Sequence, residues 1–213
     1  MKHLYAILLL SLGLLPRTGW GQGQASYNVT FGFWFQENPV VTTTGNEPYE
    51  IGSSTGAIGL VTLQRGSGST VGDTLSNSFI ASGWLDGSLS AAESNARYFS
   101  FDVPPDPETI INIQSLGFYL YRSTAGPSWY QWEYSTNGFT SPGTRIGDSV
   151  HFTTDGTSVL EPQLDLSHYP DLQYLPGTTV SFRLYAWGAV DSSGIFGFGA
   201  NPGASSIGLS GKW

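Results

Sequence analysis

Residues 180–187 decide the fold, and they read Val-Ser-Phe-Arg-Leu-Tyr-Ala-Trp. Val, Phe, Leu and Ala occupy every second position, while Ser, Arg, Tyr and Trp fill the positions between them. Because successive side chains of a β-strand point to opposite faces of the sheet, this alternation predicts a strand with one buried apolar face. The other face, which carries Tyr185 and Trp187, is predicted to point outward.

The same period of two recurs along the chain. In the stretch Leu116–Tyr121, the inward face carries Leu, Phe and Leu, which leaves Tyr119 and Tyr121 on the outward face. Further strands are predicted at residues 27–35, 58–64, 78–84, 98–103, 129–134, 159–166, 194–199 and 205–210. We find no stretch with the period of a long helix.

Turn residues separate these strands. Prolines follow the strand that ends at Val103, and proline has no amide hydrogen to donate to a sheet. Asn137-Gly138 is typical of a hairpin turn. Residues 37–56 and 66–74 have the composition of loops. Many short strands with turns at this spacing predict an all-β fold, an antiparallel jelly-roll-like β-sandwich.

The first 25 residues have the layout of a secretory signal peptide. Lys2 precedes an apolar run, Leu4–Leu15, and a small-residue stretch follows and ends at Ala25. The run is shorter than the ~20 residues that a membrane-spanning helix needs. We expect cleavage after Gly21 or Ala25, so that residues 26–213 form one exported domain with no membrane attachment. An uncleaved anchor is the alternative.

The charge balance argues against polyanionic partners. The chain carries 8 Lys and Arg against 16 Asp and Glu, a formal net charge of −8, and loss of Lys2 and Arg17 with the signal peptide gives −10. Such a surface repels phosphate backbones and anionic lipids, so we expect no nucleic acid and no membrane as partner. There is no cysteine, so the domain must rely on a packed core rather than on disulfides.

Five stretches carry a family resemblance: Arg97–Phe101, Leu116–Ser123, Tyr134–Phe139, Val180–Ala189 and Ser192–Gly199. Together they resemble a recurrent domain of exported bacterial proteins, often met with PEP-CTERM-type or Bacteroidetes-type sorting tails. The resemblance implies a secreted jelly-roll-like β-sandwich. It implies no reaction, because this largely uncharacterised family has no agreed catalytic residues. Members usually continue into a sorting tail, whereas this chain stops at Trp213, so we expect a single module.

Aromatic side chains suggest a contact surface. Six of them fall on strand positions that could lie near one another: Tyr119, Tyr121, Trp129, Trp132, Tyr185 and Trp187. Flat rings stack on the apolar faces of sugars, and Gln131, Glu133 and Arg183 could hydrogen-bond sugar hydroxyls. Because exposed apolar patches usually mark contact sites, we predict that these rings form one. The alternative is that they fill the core or form cross-strand pairs.

The segment after the signal peptide is a candidate assembly strand. Its alternating apolar residues are Tyr27, Val29, Phe31, Phe33 and Phe35. A long, uncharged, β-prone strand can pair with the sheet edge of a neighbouring copy, and identical subunits joined head to tail form a fibre. The alternative is that the strand pairs within its own sandwich.

Patterns for catalysis and metal binding are weak. Asp102, Glu133 and Asp165 lie on or beside predicted strands, but no motif pairs two of them at the separation that glycoside hydrolysis needs. Asp102, Asp106 and Glu108 are a weak candidate cluster for a structural Ca²⁺, with turn-stabilising aspartates as the alternative. We expect no catalytic residues and no cofactor.

These observations leave three interpretations of function. The first is a secreted, non-enzymatic structural or adhesive protein that assembles with itself into an extracellular fibre, matrix or cell-surface layer. The second is a stand-alone protein that binds extracellular glycan through the aromatic residues. The third is a hydrolase of extracellular polysaccharide that acts through Glu133 or Asp165.

Overall fold

The structure is a computed structural model of the 213-residue chain. It describes residues 26–31, 49–50, 53–55, 58–71, 75, 78–106, 109–199 and 207–212. In the first three of these ranges only the backbone is described. The predicted signal peptide lies outside the described residues.

The described residues form sixteen strands and two short helices. The strands are β1 (Ser26–Phe31), β2 (Tyr49–Glu50), β3 (Ser53–Thr55), β4 (Thr62–Arg65), β5 (Thr70–Val71), β6 (Ser78–Ser82), β7 (Tyr98–Val103), β8 (Ile110–Arg122), β9 (Trp129–Ser135), β10 (Thr144–His151), β11 (Ser158–Leu160), β12 (Leu164–Asp165), β13 (Leu175–Pro176), β14 (Val180–Trp187), β15 (Phe196–Gly199) and β16 (Ile207–Lys212). The α-helix is α1 (Leu89–Ser94), and a 3-10 helix spans Pro170–Leu172. Neither of these helices is long and apolar enough to span a bilayer.

Two antiparallel sheets stack as a sandwich. The first sheet has ten strands in the main order β3-β1-β16-β8-β15-β6-β5, and β11, β12 and β13 also pair with the long strand β8. The second sheet has six strands in the order β10-β9-β14-β7-β4-β2. The pairings between the described strands are all antiparallel. The predicted all-β antiparallel sandwich is therefore confirmed.

Alternation along the strands builds the core between the sheets. Leu116, Phe118 and Leu120 of β8 are buried as predicted, and Phe182 of β14 faces them from the second sheet. Aromatic rings join the two layers: the ring centroids of Phe118 and Trp132 lie 5.4 Å apart. Such rings bury more apolar area than other side chains do, so they dominate the stability of the core.

Trp132 belongs to this core and not to the surface. Its side chain is 2% exposed, and its ring packs against Phe101, Phe118 and Phe198. The prediction that Trp132 is a contact residue is therefore wrong. Trp129 lies three positions away on the same strand, so alternation places it on the opposite face, where it is 37% exposed.

Helix α1 covers part of the outer face of β14. Leu89 and Ala92 pack against Tyr185 and Trp187, which are 2% and 7% exposed. Both rings point away from the sandwich core, as alternation predicted, but the prediction that they are exposed contact residues is wrong. A helix of six residues is too short to show a helical period in the sequence, so its cover over these rings was not foreseen.

Strand β1 pairs within its own sheet on both sides. It is antiparallel to β16 along all six residues and to β3 along Asn28–Thr30. The described part of the predicted assembly strand, which includes Tyr27, Val29 and Phe31, therefore pairs within its own sandwich, and β3 covers only residues 28–30 of its second edge. Pairing with a neighbouring copy stays a prediction. The predicted strand residues Phe33 and Phe35 lie outside the described residues.

Candidate functional site

A cleft opens on the outer face of the six-stranded sheet, beside α1. Its floor is formed by β9 and β14, one wall is the end of α1, and the other wall is the loop between β9 and β10. Its volume is about 360 Å³. That is at the lower end of the range for small-molecule sites in proteins.

One row of outward side chains runs across the sheet beneath this cleft. In register order, Arg145 of β10 lies opposite Glu133 of β9, Glu133 opposite Arg183 of β14, Arg183 opposite Ser100 of β7, and Ser100 opposite Gln64 of β4. Directly opposed residues are near neighbours on a sheet, with Cβ atoms about 5 Å apart. The row therefore places alternating charges and then two neutral polar groups in one line across five strands.

Glu133 is a nearly buried carboxylic acid at the floor of the cleft, with 3% of its surface exposed. Burial, and then the charge of the neighbouring Glu93 carboxyl, raise the pKa of Glu133 from 4.5 to about 7, and Arg145 opposes this rise. Arg145 Nε lies 3.6 Å from Glu133 Oε1, and its Nη2 lies 3.8 Å from Glu93 Oε1. Because the Arg145 side chain is 60% exposed, water screens its attraction. With a pKa near 7, the Glu133 carboxyl can accept or donate a hydrogen bond near neutrality.

Arg183 is held between two aromatic rings. Its Cζ lies 4.1 Å from the ring centroid of Tyr98 and 3.9 Å from that of Phe139. Its Nη1 donates a hydrogen bond of 3.2 Å to Tyr185 Oη. A guanidinium stacked in this way is pre-organised, so it loses little side-chain entropy when its planar fork donates hydrogen bonds to a ligand.

The loop between β9 and β10 places Phe139 over Arg183. Gly138 and Phe139 both have positive φ, 67° and 57°, and the second value is uncommon for a residue other than glycine. Ser135 Oγ accepts hydrogen bonds from the backbone N–H groups of Asn137 and Phe139, at 3.1 and 3.0 Å, and so holds the loop. Such a backbone conformation costs about 1–3 kcal/mol and persists where the surroundings enforce it, often at functional sites.

The six predicted contact rings do not form one surface. Tyr119 and Tyr121 are half-buried on β8 of the ten-stranded sheet, in the other layer of the sandwich. Trp129 stacks with His151 on one side and with Trp187 on the other, at centroid distances of 4.5 and 6.4 Å. Trp129 is therefore part of a row of cross-strand ring pairs with its partners on β10 and β14, which is the alternative that the sequence left open.

Of the three polar residues predicted beside these rings, Glu133 and Arg183 come together in the cleft. Gln131 does not join them: it is 1% exposed, and its Nε2 donates to the backbone carbonyls of Trp132 and Ile146, at 2.9 and 3.1 Å. Sequence reasoning missed Glu93, since it did not predict α1.

The predicted alternatives of hydrolysis and calcium binding gain no support from the geometry. Asp165 is exposed on β12, which belongs to the ten-stranded sheet, so it does not pair with Glu133. The carboxyl beside Glu133 in the cleft is that of Glu93, and Arg145 forms an ion pair with both of them. Within the described part of the chain, no three His, Asp or Glu side chains gather as metal ligands. Asp102 and Asp106 are exposed there, and Glu108 lies outside it.

The fold and the cleft define an antiparallel β-sandwich with a polar, ring-flanked cleft on one outer face. No protein-family model and no curated protein matches the sequence, so the resemblance to a domain of exported bacterial proteins is not confirmed in this way.

Solved structures show distant similarity. One is TmCBM61 in complex with β-1,4-galactotriose, at 14% identity and a TM-score of 0.33, over 81% of this chain and 97% of that one. Another is the K1 cleaved adhesin domain of Lys-gingipain from Porphyromonas gingivalis W83, at 10% identity and a TM-score of 0.36, over 87% and 97%. At these identities and TM-scores the similarities carry no argument about function.

Proposed function

We propose that this protein is an exported, non-catalytic binding protein that holds a neutral saccharide in the cleft beside α1. The observation that carries the proposal is the position of the nearly buried Glu133 next to Arg183, whose guanidinium is clamped between Tyr98 and Phe139. Saccharide hydroxyls both donate and accept hydrogen bonds, and the C–H faces of a sugar pack on aromatic rings. The cleft offers partners for both kinds of group.

The charges in the cleft favour an uncharged ligand. An anionic ligand would meet Glu93 and Glu133 on a chain with a net charge of −8, and a cationic ligand would meet Arg145 and Arg183. A hydroxyl group can donate to the carboxylate and accept from the guanidinium, so it gains charge-assisted hydrogen bonds from both. The arrangement therefore selects against either sign of charge and for neutral polar groups.

Two of the earlier interpretations lose support. Asp165 lies on β12 of the other sheet, so the geometry does not support hydrolysis by a pair formed with Glu133. Assembly into a fibre stays a prediction, but β1 already pairs with β16 along its whole length and with β3 at residues 28–30. Export is proposed from the layout of residues 1–25 and is tested by the N-terminal sequence of the mature protein.

Affinity gel electrophoresis tests the binding function. Gels would contain a β-glucan, a galactan, a xylan or an α-glucan as neutral polysaccharides, and polygalacturonate as the anionic one. We expect at least one neutral polysaccharide to retard the protein and polygalacturonate to leave its migration unchanged. If none of the neutral polysaccharides retards the protein, the proposed function is wrong.

Two variants test whether the saccharide binds in the cleft. Arg183→Lys keeps the positive charge but loses the planar fork and the stacking, so we expect the affinity to fall about tenfold. Phe139→Ala should weaken binding as well. Tyr174→Ala is the matched control for it, because Tyr174 is an exposed aromatic residue that also has positive φ, 58°. Equal binding by Arg183→Lys and the wild type would count against the cleft as the site.

A further inference from the structure

Resting on the saccharide-binding function proposed above, we infer that the ligand is an extended chain of sugar units laid across the strands, from Glu133 toward Gln64. The structural basis is a second pocket that adjoins the first. Its volume is about 220 Å³, and it shares Phe139 and Arg183 with the first pocket. Its other lining residues are Gln64, Tyr98, Ser100, Asp102, Gly138 and Ser181.

The two pockets meet at one pair of side chains. Arg183 and Phe139 line both of them, so the clamped guanidinium forms the boundary between the two. A ligand that reaches from one pocket into the other passes over this boundary. There it contacts the edge of the Arg183 guanidinium, which is held between the rings of Tyr98 and Phe139.

The length of the groove suits several linked sugar units. The row of outward side chains runs from Glu133 on β9 through Arg183 and Ser100 to Gln64 on β4. With neighbouring strands about 4.8 Å apart, three strand spacings give roughly 14 Å. That distance exceeds the width of a single sugar ring, so one unit in the first pocket leaves the second pocket unfilled.

Other directions are obstructed by structure already in place. Along β14, helix α1 covers Tyr185 and Trp187, which are 2% and 7% exposed. Toward β10, Arg145 bridges Glu133 and Glu93. The surface toward β4 carries exposed or half-buried polar side chains instead, so a chain of sugar units can extend in that direction.

The two pockets have different chemistry. The first contains the nearly buried Glu133 and the ring of Phe139, which suits one firmly held sugar unit. In the second, Ser100 is half-buried and Asp102 and Gln64 are exposed, which suits hydrogen bonds that water partly competes for. The first pocket therefore anchors one sugar unit, and contacts in the second pocket make the affinity depend on the length of the sugar chain.

Isothermal titration calorimetry with an oligosaccharide series tests this inference. The series would run from the monosaccharide to the hexasaccharide of whichever neutral polysaccharide retards the protein. We expect the affinity to rise about tenfold from the shortest binding unit to the trisaccharide, as one or two added hydrogen bonds give, and then to level off. The double variant Gln64→Ala with Asp102→Ala should lose this gain and keep the affinity for the shortest unit. Asp148→Ala, at an exposed carboxylate of β10, is the control.

The outcomes separate the inference from the function on which it rests. If the shortest and longest ligands bind equally well, or if the double variant keeps the gain with chain length, the inference is overturned while the binding function stands. If no member of the series and no polysaccharide binds the wild type, both fail. Loss of the gain in the double variant but not in Asp148→Ala supports the inference.

Discussion

Replacing Glu133 with glutamine should make the protein more resistant to unfolding in alkaline solution. The Glu133 carboxyl titrates near pH 4.5 in the unfolded chain and near pH 7 in the folded one, chiefly because folding buries it. Between these values the folded state binds more protons than the unfolded state, so the free energy of unfolding falls as the pH rises through this window. Glutamine resembles the protonated acid in shape and carries no charge at any pH, so the variant escapes this loss.

The size of the effect follows from the pKa of Glu133. One pKa unit corresponds to about 1.4 kcal/mol, so between pH 5 and pH 9 the rise to about 7 should cost the wild type about 2–3 kcal/mol relative to Glu133→Gln. The neighbouring Glu93 carboxyl is the next contributor to the raised pKa of Glu133. Glu93→Gln should therefore reduce the pH dependence without abolishing it.

Urea unfolding at a series of pH values from 5 to 9 measures this difference. The free energies of unfolding of the wild type and Glu133→Gln should diverge above pH 5 and stay a constant distance apart above pH 8. Asp148→Asn removes an exposed carboxylate from the neighbouring strand β10 and should follow the wild type. Parallel curves for the wild type and Glu133→Gln would refute the claim that Glu133 is buried as an acid beside Glu93.

Two further predictions concern the layers that build the cleft. Trp132→Ala should lower the free energy of unfolding by about 3–5 kcal/mol in urea titrations, because the ring is 2% exposed and packs among core aromatics. A loss below about 1 kcal/mol would show that the ring is not part of the core. Ser88→Ala should destabilise α1 by about 1 kcal/mol, because Ser88 Oγ accepts the N–H of Ala91 at 3.3 Å, and hydrogen exchange of the α1 amides should accelerate accordingly. Unchanged exchange in α1 would show that this cap does not hold the wall of the cleft.

Alternation within single strands was enough to predict the core. The inward positions of β8 and β14 follow from a period of two. The Asn137-Gly138 hairpin turn is not formed as predicted, because residues 136–143 join β9 to β10 and the positive φ values fall on Gly138 and Phe139. The same rule argues against one exposed surface containing both Trp129 and Trp132, since residues three apart on a strand face opposite sides.

The cleft itself depends on information that no single strand carries. The row from Arg145 to Gln64 requires the register of five strands, and one of them, β10, has exposed residues on both faces and therefore no alternation to reveal it. The cover over Tyr185 and Trp187 comes from α1, whose six residues are too few for a helical period. The clamp on Arg183 depends on the positive φ of Phe139, and side-chain pattern does not predict that value.

Amide chemical shifts recorded while a retarding neutral polysaccharide, or its oligomer, is added test the central claim most directly. The largest changes should fall on Glu133, Phe139 and Arg183, with further changes at Ser100 on β7. Changes centred on Trp129 and His151, or on Tyr119 and Tyr121 in the other sheet, with the cleft unaffected, would contradict the account.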